Sequence, residues 1–168
     1  MPILKAEPDL KTFPGGTWER GNEVIRLINV YPNKRANRYT TPLNFGNYDP
    51  IVANASTALD AANTTAMSIT CTDGTAYSVG INQGQNPASG STTLNPLRQM
   101  ANGTARLRYD LYRNSPRTSI WGDIGTANVR SGTDDGNGTS FALYGRIPAN
   151  QNAAVGNYND TVLVTVSF

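Results

Sequence analysis

The chain has 168 residues, of which 38% are apolar, and this length and apolar content suit one domain built around a single core. Only 15% of the residues are charged and the formal net charge is +2, which is too small for the phosphate contacts that dominate nucleic-acid binding. We therefore expect no nucleic-acid partner. Gly, Asn, Thr, Ser and Ala are abundant, and this composition favours an all-β fold of short strands joined by turns.

The charged residues divide the chain near residue 40. All lysines and all glutamates lie within the first 34 residues, so the later ionisable side chains are mainly Arg, Asp and Tyr. Two interpretations are open for residues 1 to 40: an N-terminal arm attached to a sandwich over residues 41 to 168, or residues foreign to the natural mature protein. The start of the chain has no pattern of a secretory leader, and no run is long and apolar enough to predict a membrane helix.

Residues 23 to 31 are the only part of this arm with a strand pattern, because Pro and Gly interrupt the rest. Apolar residues fall on both faces of that strand, as expected for a strand inserted into a core. We therefore take this segment as a candidate donor strand for a sheet, with the candidate residues Val24, Ile25, Leu27, Ile28 and Val30.

Short β-patterned runs separated by turn residues follow from about residue 41, at the spacing of a sandwich or barrel. The first is residues 41 to 45 and the second is residues 64 to 71. Cys71 is predicted to lie on the inward face of the second run, as a small buried hydrophobic residue. It is the only cysteine, so the chain forms no internal disulfide and no thiolate metal cluster.

Asp73-Gly74 follows the second run and is a hairpin turn signal. The next run, residues 76 to 82, carries apolar side chains at alternate positions. We predict that these two runs pair as a hairpin.

The clearest strand in the middle of the chain is residues 104 to 113. Its apolar residues alternate with polar ones, the pattern of a strand with one core face and one solvent face. The core face is predicted to include Leu107, Tyr109 and Leu111, and the polar outer face to include Arg106, Arg108, Asp110 and Tyr112.

Turn-forming residues and short patterned runs fill the rest of the middle region. Residues 83 to 96 are predicted to be a loop, residues 117 to 121 a short strand, and residues 131 to 138 an exposed loop. Strand character returns over residues 140 to 147 and ends at Pro148.

The last predicted strand covers residues 158 to 168, and its even-numbered positions form a core face. The core positions are predicted to be Val162, Val164, Val166 and Phe168. Since the chain ends with this strand, we expect its long apolar edge to pair with a strand from another molecule.

Candidate catalytic and binding residues are few. The chain has no histidine, which excludes imidazole bases and imidazole metal ligands, and its later aspartates lie mostly beside turn residues. The segment Asp134-Asp135-Gly136-Asn137-Gly138 is similar to a calcium loop but lacks the acidic residue that closes one. We expect no enzyme activity, no metal and no cofactor. An alternative function is a monomeric secreted binding module for carbohydrates, using residues 131 to 138 and Trp121.

Over residues 43 to 168 the chain resembles the spore coat protein U domain family, found in the pilins of archaic chaperone-usher pili. Several motifs in the same order carry this resemblance. They are Leu43-Asn44-Phe45-Gly46-Asn47-Tyr48, Ile69-Thr70-Cys71, Leu107-Arg108-Tyr109-Asp110-Leu111-Tyr112 with Trp121-Gly122-Asp123, and Gly156-Asn157-Tyr158-Asn159-Asp160.

The resemblance implies an incomplete immunoglobulin-like β-sandwich, completed by a donor strand from another chain. The donor would be a periplasmic chaperone first and a neighbouring pilin subunit later, and an outer-membrane usher would be a further partner. It also implies secretion through the periplasm, a homo-polymeric surface pilus, and a role in adhesion or biofilm formation. Family members usually carry a cysteine before the first strand that pairs with the one matching Cys71, and this chain lacks it.

Overall fold

The computed structural model describes residues 23–30 and 37–168, with side chains from residue 40 onward. Within these residues the secondary structure consists of β-strands without helices, so no described helix could cross a membrane and the predicted all-β class is confirmed. The strands are β1 (Glu23–Val30), β2 (Asn37–Thr40), β3 (Leu43–Gly46), β4 (Leu59–Thr70), β5 (Ala76–Ile81), β6 (Arg98–Asn102), β7 (Ala105–Tyr112), β8 (Arg130–Thr133), β9 (Thr139–Ile147) and β10 (Asn159–Ser167).

The strands form two layers that share β7. One layer has the order β2-β4-β9-β7, and the other contains β3, β1, β10, β5 and β8, with β6 joining β7 to the start of β10. The first part of β7 pairs with β6 and its last part, from Asp110 to Tyr112, pairs with β9. This strand therefore crosses from one layer to the other.

The core lies between the two layers. Aromatic rings meet across it edge to face: Tyr77 on β5 lies 5.8 Å from Phe141 on β9, and Trp121 lies 6.5 Å from the same ring. Such edge-to-face pairs add packing energy beyond the burial of apolar area. The inward-facing apolar residues of β4, β7, β9 and β10 belong to one buried cluster.

The predicted hairpin between residues 64 to 71 and 76 to 82 is wrong. β4 pairs with β2 and β9, whereas β5 pairs with β8 and β10 in the other layer. The chain does reverse at Gly74, whose φ is +77°, and the Gly74 amide donates a 2.9 Å hydrogen bond to the carbonyl of Asp134. A turn signal predicts a reversal, but it does not determine whether the next strand joins the same layer.

Two other local predictions are wrong. Residues 117 to 121 form only an isolated bridge between Ile120 and Tyr112, not a strand. Residues 131 to 138 are not one exposed loop, because β8 pairs with β5 and Asp134 is buried. The polar sequence of β8 hides its strand character, since this strand lies at the edge of its layer and is largely exposed.

The polar outer face predicted for the middle strand is correct only in its first half. Arg106 and Arg108 on β7 are exposed, but Asp110 and Tyr112 are buried. Their burial coincides with the point at which β7 leaves β6 and pairs with β9. A simple alternation of faces cannot predict this change of layer.

Candidate strand-acceptor groove

β10 is the central strand of the candidate site. Its side chains alternate between buried and half-exposed, and Val162, Val164 and Val166 are at most 2% exposed. Phe168 follows the end of β10 and packs half-buried against the core. Strict alternation with a fully buried face is expected for a strand that covers a core on one side.

One edge of β10 is fixed by the body of the domain. Val164 to Ser167 pair with β5, and Asn159 pairs with Ala101 of β6. Between these two stretches Asn82 substitutes for a strand, because its side-chain oxygen accepts a 2.8 Å hydrogen bond from the Leu163 amide and its own amide donates to the Leu163 carbonyl at 3.0 Å. This edge is therefore paired at Asn159, at Leu163 and from Val164 to Ser167.

The other edge of β10 pairs with β1. The pairing is parallel and runs from Val24 opposite Asn159 to Val30 opposite Thr165. The far edge of β1 pairs antiparallel with β3 at Glu23, Val24 and Ile25. In this single chain the neighbour of β10 thus comes from the same molecule, where the sequence led us to expect another molecule.

β3 forms the opposite wall of the groove that holds β1. Leu43 and Phe45 point into the core, and the Phe45 ring meets the Tyr109 ring at 6.4 Å with an interplanar angle of 61°. The space behind them is closed by Gly145 of β9, where an added Cβ would lie 2.5 Å from Phe45 and 2.6 Å from Leu43. A residue without a side chain is therefore required at this position for β3 to pack as it does.

A buried polar pair anchors β10 to β7 beneath the groove. The Tyr109 hydroxyl donates a 2.6 Å hydrogen bond to Asp160 Oδ2, while Asp160 Oδ1 accepts from the Gln85 amide at 3.0 Å. Burial, together with the neighbouring charge of Asp160, raises the pKa of Tyr109 well above its ordinary range. The hydroxyl consequently stays protonated and donating throughout the neutral pH range.

The predicted site residues occupy the following places. All five donor-strand candidates lie on β1, between β10 and β3. The predicted acceptor residues lie on two strands: Val162, Val164 and Val166 are buried on β10, with Phe168 just after it, and Leu107, Tyr109 and Leu111 are buried on β7.

Comparison with known proteins identifies the domain. The family model for the Spore Coat Protein U domain matches residues 32–165. The chain belongs to the Spore Coat Protein U domain family. It is also 40% identical over 129 residues to Protein U of Myxococcus xanthus, covering 75% of this chain and 71% of that protein.

A solved structure shares the fold of this Spore Coat Protein U domain. It is a chain in the CsuC-CsuE chaperone-tip adhesion subunit pre-assembly complex from archaic chaperone-usher Csu pili of Acinetobacter baumannii. The TM-score is 0.55 at 24% identity, and the match covers 80% of this chain but only 39% of that chain. At this identity the similarity establishes the fold alone.

The family match begins after β1 ends. β1 covers Glu23–Val30, whereas the matched region starts at residue 32. The strand that fills the groove is therefore outside the region matched by the Spore Coat Protein U domain model, although every other described strand begins within it.

Sequence reasoning missed one residue that fixes the closed edge of β10. Arg98 on β6 is fully buried, and it donates hydrogen bonds to the carbonyls of Asn82 at 2.8 Å, Ile81 at 2.9 Å and Trp121 at 2.7 Å. Burial lowers its pKa, which nearby negative charges partly offset. An arginine just after a long polar loop gives no sequence signal of burial, because charged side chains are rarely buried.

Trp121 lies in the core of the Spore Coat Protein U domain. Its exposure is 0% and its indole nitrogen donates a 2.9 Å hydrogen bond to the Val79 carbonyl. The suggestion that Trp121 helps to form a carbohydrate-binding surface is therefore wrong. Among the described residues there is also no cluster of three or more acidic, Cys or His side chains that could hold a metal ion.

Proposed function

We propose that this protein is a structural subunit of a bacterial surface pilus assembled by donor-strand complementation. The observation that carries the proposal is the position of β1, which fills the groove between β10 and β3 but precedes the region matched by the family model. A domain limited to the matched residues 32–165 would lack β1, and its groove would be open. A neighbouring subunit can fill it with its own β1, which makes the assembly head-to-tail and open-ended.

The chemistry of the groove supports exchange of the strand. Without β1, the second edge of β10 would present unpaired N–H and C=O groups beside the buried face that contains Val162 and Val164. Unpaired backbone groups next to an apolar core are unfavourable, so an extended apolar segment from any source would bind there. β1 is the first described strand and precedes β2 in the chain, so its exchange leaves the order and pairing of β2 and β4 to β9 unchanged.

We extend the proposal to the partners of assembly. The fold is shared with a chain from a chaperone-tip adhesion subunit complex, which supports a periplasmic chaperone as the first occupant of the groove. The proposal also includes an outer-membrane usher as a partner and neighbouring copies in a homo-polymer. It further includes transit through the periplasm and display on the cell surface. Its role is adhesion or biofilm formation, which is structural, not enzymatic, and requires no cofactor.

Refolding at different protein concentrations tests strand exchange. Denaturant releases β1 from the groove, and refolding at low concentration favours return of β1 to its own chain, whereas high concentration favours insertion into another copy. We expect a series of oligomers by size-exclusion chromatography and thin fibres by electron microscopy, both increasing with concentration. A folded protein that remains monomeric at every concentration would contradict the proposal.

Two matched substitutions test whether β1 is the donor. Leu27→Asp changes the register position opposite the buried Val162, and Ile28→Asp changes the position opposite the half-exposed Leu163. A Leu27→Asp copy still accepts a strand but donates poorly, so adding it to wild-type protein should shorten the fibres in proportion to its fraction. Ile28→Asp should shorten them much less, and equal fibre lengths in all mixtures would exclude β1 as the donor.

A further inference from the structure

A second apolar feature continues the groove beyond β1. It is a cavity of about 460 Å³, whose described lining comes from two segments, residues 47–51 after β3 and residues 153–156 before β10, together with Leu107 and Tyr158. The volume lies in the range of pockets that bind small molecules or single large side chains. Its outer rim contains Ile51 and Val155, which are 84% and 92% exposed.

The cavity lies in line with β1. Because β1 pairs antiparallel with β3, moving back along the chain from Glu23 corresponds to moving forward from Gly46 into residues 47–51. Because β1 pairs parallel with β10, the same step corresponds to moving back from Asn159 into residues 153–158. The two walls of the groove thus continue as the two walls of the cavity.

Hydrogen bonds within the domain fix one side of the cavity. The Asp49 side chain accepts from the amides of Ile51 at 2.9 Å and Val52 at 3.1 Å, and the buried Asn54 side chain accepts from the Asp49 amide at 3.0 Å. These bonds hold the backbone at the rim residue Ile51 in place, and they need no ligand in the cavity to do so. The cavity is consequently a preformed feature of the domain.

The two tyrosines of the lining are also fixed. The Tyr48 hydroxyl donates to the Pro148 carbonyl at 3.0 Å and accepts from the Gln151 amide at 2.9 Å, and the Tyr158 hydroxyl donates to the Ala154 carbonyl at 2.8 Å. Because both hydroxyls already have partners, the rings offer the cavity mainly apolar surface. An aromatic side chain is the ligand that such a lining suits best.

We propose that residues 18–22, directly ahead of β1, bind in this cavity and that Trp18 is their anchor. These residues lie outside the described part of the chain. An extended strand advances about 3.3 Å per residue, so the five residues 18–22, which precede Glu23, can reach along the five wall residues 47–51, which follow Gly46. Trp18 is the only aromatic residue between residues 14 and 30.

This inference depends on the register of β1 within a single chain and not on fibre formation. The cavity continues an interface that β1 already makes, which favours the adjoining segment of the same chain over an unrelated ligand. A segment anchored at Trp18 would extend the contact between the N-terminal arm and the domain. The anchor would therefore slow release of β1 from the groove.

Tryptophan quenching in the full chain tests the proposal. The protein has two tryptophans, and Trp121 is fully buried, so quenching by iodide reports Trp18. We expect emission of the wild-type monomer to be protected. Ala154→Arg places a charged side chain in the cavity and should raise the quenching constant several-fold, whereas Asn152→Arg, on an exposed residue outside the cavity lining, should leave it unchanged.

Further variants make each outcome decisive. Trp18→Phe combined with Ala154→Arg leaves only Trp121, whose continued protection shows that the domain is folded. Strong quenching of Trp18 in the wild-type monomer, or equal quenching in the Ala154→Arg and Asn152→Arg proteins, would overturn the proposal. If Trp18 is protected from iodide only in oligomers and loses this protection on dilution to the monomer, the cavity binds a segment of a second copy. That result also overturns the proposal.

Discussion

The hydroxyl of Tyr109 on β7 donates a 2.6 Å hydrogen bond to the carboxyl of Asp160 on β10, and both residues are buried. This bond ties the start of β10 to a strand that belongs to both layers. Asp160 also orders residues 84–86, because its Oδ1 accepts from the Gln85 amide. One buried pair thus positions the floor of the groove, the start of β10 and the loop along its closed edge.

Tyr109→Phe tests the contribution of this pair. The substitution keeps the ring against Phe45 but leaves Asp160 Oδ2 without its donor, and an unsatisfied buried acceptor costs about 1–3 kcal/mol. We expect a fall of this size in the free energy of unfolding in urea. Tyr144→Phe, which removes a hydroxyl from a half-buried ring lying over Arg117, is the control and should change stability much less. Equal effects of the two substitutions would show that the buried pair has no special role.

Gly145→Ala tests the packing of the groove wall. The new Cβ would approach Phe45 and Leu43 to within 2.5 Å and 2.6 Å, so β3 must move away from β9. Overpacking of this kind costs about 1–3 kcal/mol. Because β3 is also a pairing partner of β1, we expect faster hydrogen exchange of the β1 amides, measured by mass spectrometry.

Ala142→Val provides the control for this substitution. Ala142 is half-buried on the face of β9 opposite to Gly145, so the two added side-chain carbons lie on the other side of the strand from β3. The expected result is nearly unchanged exchange in β1. Slow hydrogen exchange of the β1 amides in both variants would mean that β3 accommodates the added Cβ of Gly145→Ala without weakening its pairing with β1.

Alternation along single strands was the part of the structure that the sequence could predict. The buried positions of β10 and the first half of β7 follow directly from a period of two, because one face of each strand covers the core. The pairing of strands did not follow in the same way. Asp73-Gly74 marks a reversal, yet β4 and β5 lie in different layers because their apolar faces meet across the core.

Residues whose role depends on contacts distant in sequence escaped prediction. Arg98 is buried because three carbonyls from separate segments converge on it, and no local pattern encodes that convergence. The partner of β10 was expected from another molecule because the sequence ends with this strand. The strand pattern of residues 23 to 31 does not specify which copy of the domain receives it. In the single chain, β1 binds its own domain.

The ion pair of Asp60 predicts a dependence of stability on pH. Arg146 donates to both Asp60 oxygens, at 2.7 Å and 2.8 Å, and Arg117 lies 3.4 Å away. The hydrogen bond from Arg146, with the charge of Arg117, lowers the pKa of Asp60 below its ordinary value despite partial burial. Because the folded pKa is depressed, this contribution is present above the unfolded pKa of about 3.9 and is lost as the pH falls through the lower folded pKa.

Asp60→Asn measures that contribution. Asp60 is 37% exposed, so solvent screening limits the stability difference from wild type to about 0.2–1 kcal/mol at neutral pH. The difference should shrink towards zero below the folded pKa and should also shrink in high salt. Arg146→Gln and the double variant complete a cycle that isolates the pair. A difference that grows as the pH falls would contradict the assigned direction of the shift.

Val164→Asp tests the core face of β10 against its outer face. Val164 is 1% exposed, so the variant places a carboxylate in the core with no partner provided, at a cost of several kcal/mol. This cost is a large fraction of the free energy of unfolding of a typical domain, which is about 5–15 kcal/mol. We therefore expect loss of folding or of assembly. Thr165→Asp, on the adjacent half-exposed position, should still fold because its side chain reaches solvent. Near-ultraviolet circular dichroism and electron microscopy measure the two outcomes, and a Val164→Asp protein that folds and forms fibres would refute the assignment of the face.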